Sequence, residues 1–185
     1  IGRTNKNYPL SEGKGSLKEG GIREPMIVCW PGVTQPATVN VTPVIIEDFF
    51  PSILELAGMK GRIHTPQIID GRSFVAQLKG KQGDQKRPLY FHYPNNWGER
   101  YETTGAPQSA VIEGDWKLIY YYDSGKKELF NIPEDIGEKN DLAALHPDIV
   151  KSLSKELGDY LRKVGGQRPS FKATGKPCPW PDEIK

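Results

Sequence analysis

The sequence predicts a mixed α/β protein in two parts. An α/β portion with buried sheet strands is followed by a smaller α+β unit, a four-stranded antiparallel sheet with a C-terminal helix. Three observations carry this. Met26–Trp30 is a short apolar run closed by Pro31-Gly32, which reads as a buried strand. Between Asp48 and Gly58 apolar residues recur at helical spacing. Beyond Arg87 the pattern is that of short antiparallel β-strands separated by turn residues, until an amphipathic stretch begins near Pro147.

Taken in order, residues 1–12 are polar and expected to be irregular. From Gly13 to Gly21 four glycines accompany Lys14, Lys18 and Glu19. Glycine lets a backbone take positive φ or pass close to a ligand, so this segment predicts a tight loop. A lysine there, beside the end of a buried strand, is placed to meet an anion; by itself the same pattern describes a solvated charge. The loop is not a Walker motif, because the position where that pattern needs its first glycine is Tyr8. Lys18 is expected to be exposed, and Glu19 and Arg23 to brace the loop through hydrogen bonds.

Residues 33–42 form a turn-rich connection in which Asn40-Val41-Thr42 is a glycosylation sequon. The helix that follows is expected to be capped by Asp48, to carry Pro51 in its first turn and to end at Gly58. Its residues Phe49, Phe50, Ile53, Leu54 and Ala57 are expected to cover a parallel sheet. Metal ligation by Asp48 is the lesser reading beside capping. A short helix is expected over Ser73–Lys79, ended by Gly80. The Lys-, Gln- and Gly-rich run from Lys79 to Arg87 reads as a boundary. The expected division is 1–83, 84–168 and an extended tail over 169–185.

Past the boundary, the expected strands are Leu89–Tyr93, Ser109–Glu113, Trp116–Tyr122 and Glu128–Ile132, with a type II′ turn at Gly114-Asp115. Four strands need a cover. The helix from about Pro147 to Val164 offers Ile149, Val150, Leu153, Leu157, Tyr160, Leu161 and Val164 on one face. Pro94–Pro107 lacks periodicity and exceeds what a hairpin needs, which suggests a functional loop. His64 and His146 read as structural or solvated. The proline-rich end is expected to be loosely held.

Composition excludes several classes. The 25 basic and 23 acidic residues nearly cancel, giving +2, so no basic field points to nucleic acid. Two cysteines are too few for a disulfide framework and lack metal-ligand spacing. No run approaches the roughly 18 apolar residues of a membrane span.

Gly13-Lys-Gly-Ser-Leu-Lys-Glu-Gly-Gly-Ile-Arg-Glu-Pro25, followed by Trp30-Pro31-Gly32, closely resembles a segment of the sulfatase family. Asp48-Phe-Phe-Pro-Ser-Ile-Leu-Glu-Leu-Ala-Gly58, Asp70-Gly-Arg-Ser73, Gly114-Asp-Trp-Lys-Leu118 and Glu128-Leu-Phe-Asn131 follow in that family's order. The resemblance covers roughly residues 8–165. It implies the C-terminal part of an alkaline-phosphatase-like α/β sandwich plus a small C-terminal domain. Neither Cys29 nor Cys178 lies in the Cys/Ser-x-Pro/Ala-x-Arg motif that matures to formylglycine, and the paired aspartates and Asp-Asn-Gly segment of the family are not found. The expectation is therefore a C-terminal portion without the catalytic half.

What the resemblance implies is hydrolysis of sulfate monoesters by the parent protein, with a formylglycine nucleophile and a Ca2+ ion. Lys14 aligns with the lysine that contacts the sulfate. His92 and Trp97 are the choices for contacts to the leaving group, one as polar donor and the other as stacking face. The substrate would be a sulfated small molecule or sulfated glycan, and the partner of this chain the missing N-terminal half. The isolated chain is expected to be inactive and to bind no cofactor. A periplasmic or secreted location is favoured by the resemblance alone. Two alternatives stay open: a phosphoric-ester hydrolase of the same superfamily, and a non-catalytic carbohydrate-binding module using Trp97 and Tyr101.

Overall fold

The computed structural model describes residues 7–62, 64–95 and 106–184. Its elements are α1 (Glu19–Ile22), α2 (Phe49–Leu56), α3 (Val75–Leu78), β1 (Leu89–Tyr93), β2 (Gln108–Glu113), β3 (Trp116–Tyr121), β4 (Lys127–Asn131) and α4 (Pro147–Lys163). Short 3-10 turns lie at Ile46–Asp48 and Pro181–Glu183. The chain divides into two compact units, Ile1–Glu24 with Pro88–Lys185 and, separately, Pro25–Arg87. The glycine loop thus groups with the sheet, not with the 25–87 segment beside it in sequence.

In the first unit the strands form an antiparallel meander in the order β1-β2-β3-β4. Gly114, at φ +58°, makes the β2–β3 turn. Because side chains alternate across a sheet, each strand feeds two cores. Val111, Leu118, Tyr120 and Leu129 pack against Leu153, Leu157 and Leu161 of α4. On the opposite face Ala110, Ile119 and Phe130 meet Leu17 and Ile22 from the glycine loop. The sheet is therefore covered by the helix on one side and by the loop on the other. The helix ends one residue earlier than expected, and Val164 beyond it is exposed.

The C-terminal segment overturns the expectation of a loosely held tail. Cys178 and Pro181 are buried. Tyr120 Oη donates to the Pro179 carbonyl at 3.0 Å, and Lys127 Nζ to that of Ile184 at 2.6 Å. Arg162 grips Asp182 with both terminal nitrogens, at 3.0 and 2.9 Å. A side chain at Gly158 would meet Asp182 Oδ1 at 2.0 Å, so a glycine in α4 makes room for this docking. Low apolar content misled here, because the segment is held by polar anchors to buried groups.

In the second unit the buried strand expected at Met26–Trp30 does not form: the segment joins no ladder, and Ile27 is 96% exposed. A strand needs ladder partners, and among the described residues the only sheet is the meander of the other unit. Nor does α2 cover a parallel sheet, since Phe50 and Ile53 are exposed. Asp48 does not cap α2 with its side chain. Its carboxylate instead accepts from the backbone N–H groups of Ile45 and Arg72 and from the Arg87 guanidinium at 2.8 Å, tying three stretches of the unit together.

Candidate functional site

Of the charged side chains in the glycine loop, Lys18 and Glu19 are buried and Lys14 is exposed. Ser16 N–H donates to the Gly13 carbonyl at 3.1 Å, turning the chain around Lys14 and Gly15, the latter at φ +91°. Ser16 Oγ then accepts from Lys18 N–H at 3.0 Å. The two ends are closed on each other: Gly20 N–H donates to the Ser11 carbonyl at 2.9 Å, and the Gly20 carbonyl accepts from Asn7 Nδ2 at 2.7 Å. A Cβ at Gly20 would lie 2.3 Å from Ser11 O, and one at Gly21 2.1 Å from Ser16 O, so only glycine permits the closure. Glu12, just before the loop, is held at φ +57°, a conformation a glutamate keeps only where its surroundings impose it. Lys14 stands exposed on this frame, without a hydrogen bond or ion pair among the described residues.

Beneath the loop lies an ionic cluster. Lys117, in the middle of β3 and 0% exposed, places Nζ 2.9 Å from Glu19 Oε1 and 2.9 Å from Glu138 Oε1. The first contact is a hydrogen bond; Glu138 Oε1 sits at ion-pair distance without hydrogen-bonding alignment. Glu138 Oε2 accepts the backbone N–H of Glu19 at 2.6 Å, and Arg23 Nε reaches Glu19 Oε2 at 2.6 Å. The two carboxyls respond differently. Burial opposes ionisation of Glu19, but the Lys117 charge and the hydrogen bonds from Lys117 and Arg23 outweigh it and hold the group below the usual range. For Glu138 burial dominates over the same lysine, and its carboxyl is pushed up.

Lys18 corrects an expectation: it is buried, its ammonium 2.6 Å from Glu128 Oε2 and 3.9 Å from the centroid of the Phe130 ring. Burial opposes ionisation of Glu128 too, but hydrogen bonds from Lys126, Lys18 and Tyr121 keep its carboxyl low. Leu17 draws the loop onto the sheet, and Lys18 follows it to the nearest carboxylate. Bracing by Glu19 and Arg23 is present as expected. Lys117, Glu138 and Glu128 escaped the sequence reading. The available signal was Lys117 itself, sharing a strand face with Ile119: a lysine on an apolar face requires a carboxylate.

His92, in β1, has both ring nitrogens engaged. Nδ1 lies 2.7 Å from Ser109 Oγ, Nε2 lies 2.7 Å from the Gln167 carbonyl, and Ser109 Oγ is 3.0 Å from Tyr122 Oη. A carbonyl only accepts, so Nε2 carries the proton and Nδ1 accepts from Ser109. Burial lowers the His92 pKa, partly offset by the bond to Gln167. The unfolded chain therefore binds the proton more readily. This contribution to stability is present above about pH 6.5 and is lost as the pH falls below it. Urea titrations between pH 7.5 and 5 are expected to show that loss, and His92→Gln to flatten it. Trp97 and Tyr101 lie outside the described residues. Lys14 and His92 share the first unit, with no contact between them.

The second unit holds a concavity of about 40 Å³ lined by Thr42, Asp48, Arg72, Gln77 and Arg87 among others. Among the described residues no three His, Cys, Asp or Glu side chains are grouped to hold a metal ion, so the described residues offer no carboxylate cluster for a calcium ion. No helix among them is long and apolar enough to cross a membrane.

Residues 13–164 match the family model described as N-sulphoglucosamine sulphohydrolase, C-terminal. The chain belongs to the sulfatase family. This sulfatase region is 32% identical over 200 residues to a sulfatase of Formosa agariphila, covering all of this chain and 35% of that protein. It is 33% identical over 109 residues to the steryl-sulfatase of Mus musculus, covering 59% of this chain and 16% of that protein. Among solved structures, that of Ps i-CgsB in complex with k-i-k-neocarrahexaose superposes with a TM-score of 0.70 at 28% identity, over 89% of this chain and 34% of that one. BT4656 in complex with its substrate D-glucosamine-2-N,6-O-disulfate shares the fold at TM-score 0.52 and 23% identity, over 66% and 24% of the two chains. The sulfatase region thus spans about a third, or less, of the relatives it matches. Its neighbours place it within the alkaline-phosphatase-like fold.

Proposed function

We propose that this chain is the part of a sulfuric ester hydrolase that supplies a sulfate-binding lysine, Lys14, to an active site completed by the rest of the polypeptide. The observation that carries the reading is an ammonium left without a partner on a loop whose every other charged group is paired or packed. An ammonium is a compact charge suited to a tetrahedral oxyanion. Its attraction at about 4 Å rises from roughly 1 kcal/mol in water to about 4 at an effective dielectric of 20, so Lys14 acts only where the site is closed from solvent. A formylglycine nucleophile and a calcium ion, which the family resemblance implies for the parent protein, would be held by residues outside the described ones.

Trp97 is proposed as a stacking face for the leaving group. His92 is proposed as a donor beside it, a role that requires Nε2 to give up the Gln167 carbonyl. The oligosaccharide bound by Ps i-CgsB supports a sulfated glycan as the substrate class. The exposed Ile27, Phe50 and Ile53 support docking of the 25–87 unit against the remainder of the parent protein. By itself the chain is proposed to be inactive.

The test is turnover of an aryl sulfate by the full-length protein that contains this chain. Lys14→Ala is expected to lower kcat/KM about 100-fold or more, as for loss of one group that stabilises developing charge. Unchanged kcat/KM would overturn the reading. Preference for an aryl phosphate over the sulfate would shift it to phosphoric esters, and glycan retention without turnover, lost in Trp97→Ala, to a binding module.

A further inference from the structure

We propose that Lys117 is a positioning residue for Lys14: by gripping Glu19 it fixes the glycine loop on the sheet and so sets where the sulfate-binding ammonium stands. The inference rests on the Lys14 reading above and adds the device that gives the ammonium its place.

Stability does not explain a lysine at this point. A fully buried charge in the middle of a strand is costly, and exchanging a buried ion group for well-packed apolar residues is often neutral or favourable. Position 117 faces the same core as Ile119, Phe130 and Leu17, where apolar residues in place of the whole cluster, Lys117, Glu19 and Glu138 together, would leave no charge to desolvate. What an apolar residue lacks is direction. Leu17 and Ile22 hold the loop to the sheet through contacts that tolerate sliding. The Lys117–Glu19 bond, 2.9 Å long, does not.

The cluster grips Glu19 twice. Lys117 and Arg23 hold its side chain, and Glu138 holds its backbone N–H at 2.6 Å. Glu138 is itself locked into a left-handed conformation at φ +49° that delivers its carboxylate there. The next residue along from Glu19, Gly20, closes the loop onto Ser11 and Asn7. From β3 the constraint therefore runs through Glu19 and Gly20 to the two ends of the turn that carries Lys14. Lys117, Glu19, Glu138 and Gly20 are all buried, and the contacts between them are directional hydrogen bonds and ion pairs joined through the Glu19–Gly20 backbone. A displacement of about 1 Å at a reacting group can cost on the order of 100-fold in rate. The Lys117–Glu19 bond is the contact that would hold the Lys14 turn to that tolerance.

The experiment is a double-mutant cycle in the full-length protein, read as kcat/KM on an aryl sulfate. Lys14→Ala is made in the wild-type background, in Lys117→Met, and in the neutralised Lys117→Met/Glu19→Gln/Glu138→Gln. The last removes the buried unpaired carboxylates and covers the case in which the single variant fails to fold. Lys117→Met is expected to lower kcat/KM about 10- to 100-fold, and the Lys14→Ala penalty in both altered backgrounds to shrink about 10-fold or more. A purely structural role would reduce the amount of active protein and leave the Lys14→Ala ratio untouched. An undiminished ratio therefore overturns the inference while the Lys14 reading stands. The absence of any Lys14→Ala penalty in the wild-type background overturns both.

Discussion

Lys117→Met is expected to destabilise the sheet unit by about 3–5 kcal/mol at pH 7.5, the cost of removing one partner from a buried ion cluster. Two carboxylates, Glu19 and Glu138, would be left facing each other's field with Arg23 as the remaining cation on Glu19. The pH dependence identifies the cause. Without the lysine both carboxyls have raised pKa values in the folded state, so folding favours their protonated forms. Stability from such groups is present at low pH and is lost as the pH rises through the folded pKa. The variant's deficit is therefore expected to be smaller at pH 5 than at pH 8, measured by urea denaturation against wild type. A pH-independent deficit would point to lost packing of the lysine stem instead.

Gly21→Ala is expected to cost about 3 kcal/mol, the upper end of what overpacking does. The added Cβ would stand 2.1 Å from Ser16 O and 2.7 Å from Gly13 O, both backbone atoms that move only if the loop moves. On the proposed role of Lys14 the consequence would reach function, since Gly13 and Ser16 bracket that residue. Hydrogen exchange at the Gly20 and Ser16 amides, which the native loop protects, should accelerate at least ~10-fold in this variant. Exchange in β2 and β3 should change little. Gly32→Ala is the control: Gly32 has φ +78°, and a Cβ there would meet nothing within 4 Å, so only the conformational cost applies. That cost is about 1–2 kcal/mol. Equal effects at the two positions would mean that the loop yields easily.

Much of the first unit was legible in the sequence because its signals are local. Runs of aromatic and branched residues at Leu89–Tyr93 and Trp116–Tyr122, a Gly-Asp turn and a leucine stripe at helical spacing each name their own element, and the meander needs only adjacent strands to pair. The glycine loop was legible for the same reason, since Gly20 and Gly21 mark close backbone approaches whatever surrounds them. The 25–87 segment misled because Met26–Trp30 and α2 carry apolar residues that stand exposed among the described residues of the unit. An apolar run states that something must cover it, not what does.

Local chemistry along the chain was enough to specify which segments become strands, helix and tight loop, and the order of motifs was enough to mark a sulfatase relative. It did not reveal that the loop lies across the sheet, that Lys18 is buried, or that Glu19 is shared between Lys117, Arg23 and Glu138. The longest of those pairings join residues about 100 positions apart, and the strength of each depends on the dielectric that the assembled core creates around it. A charge in a linear sequence carries no record of whether water will surround it. Only packing sets that, and packing turns an unremarked lysine in β3 into the anchor of the loop that presents Lys14.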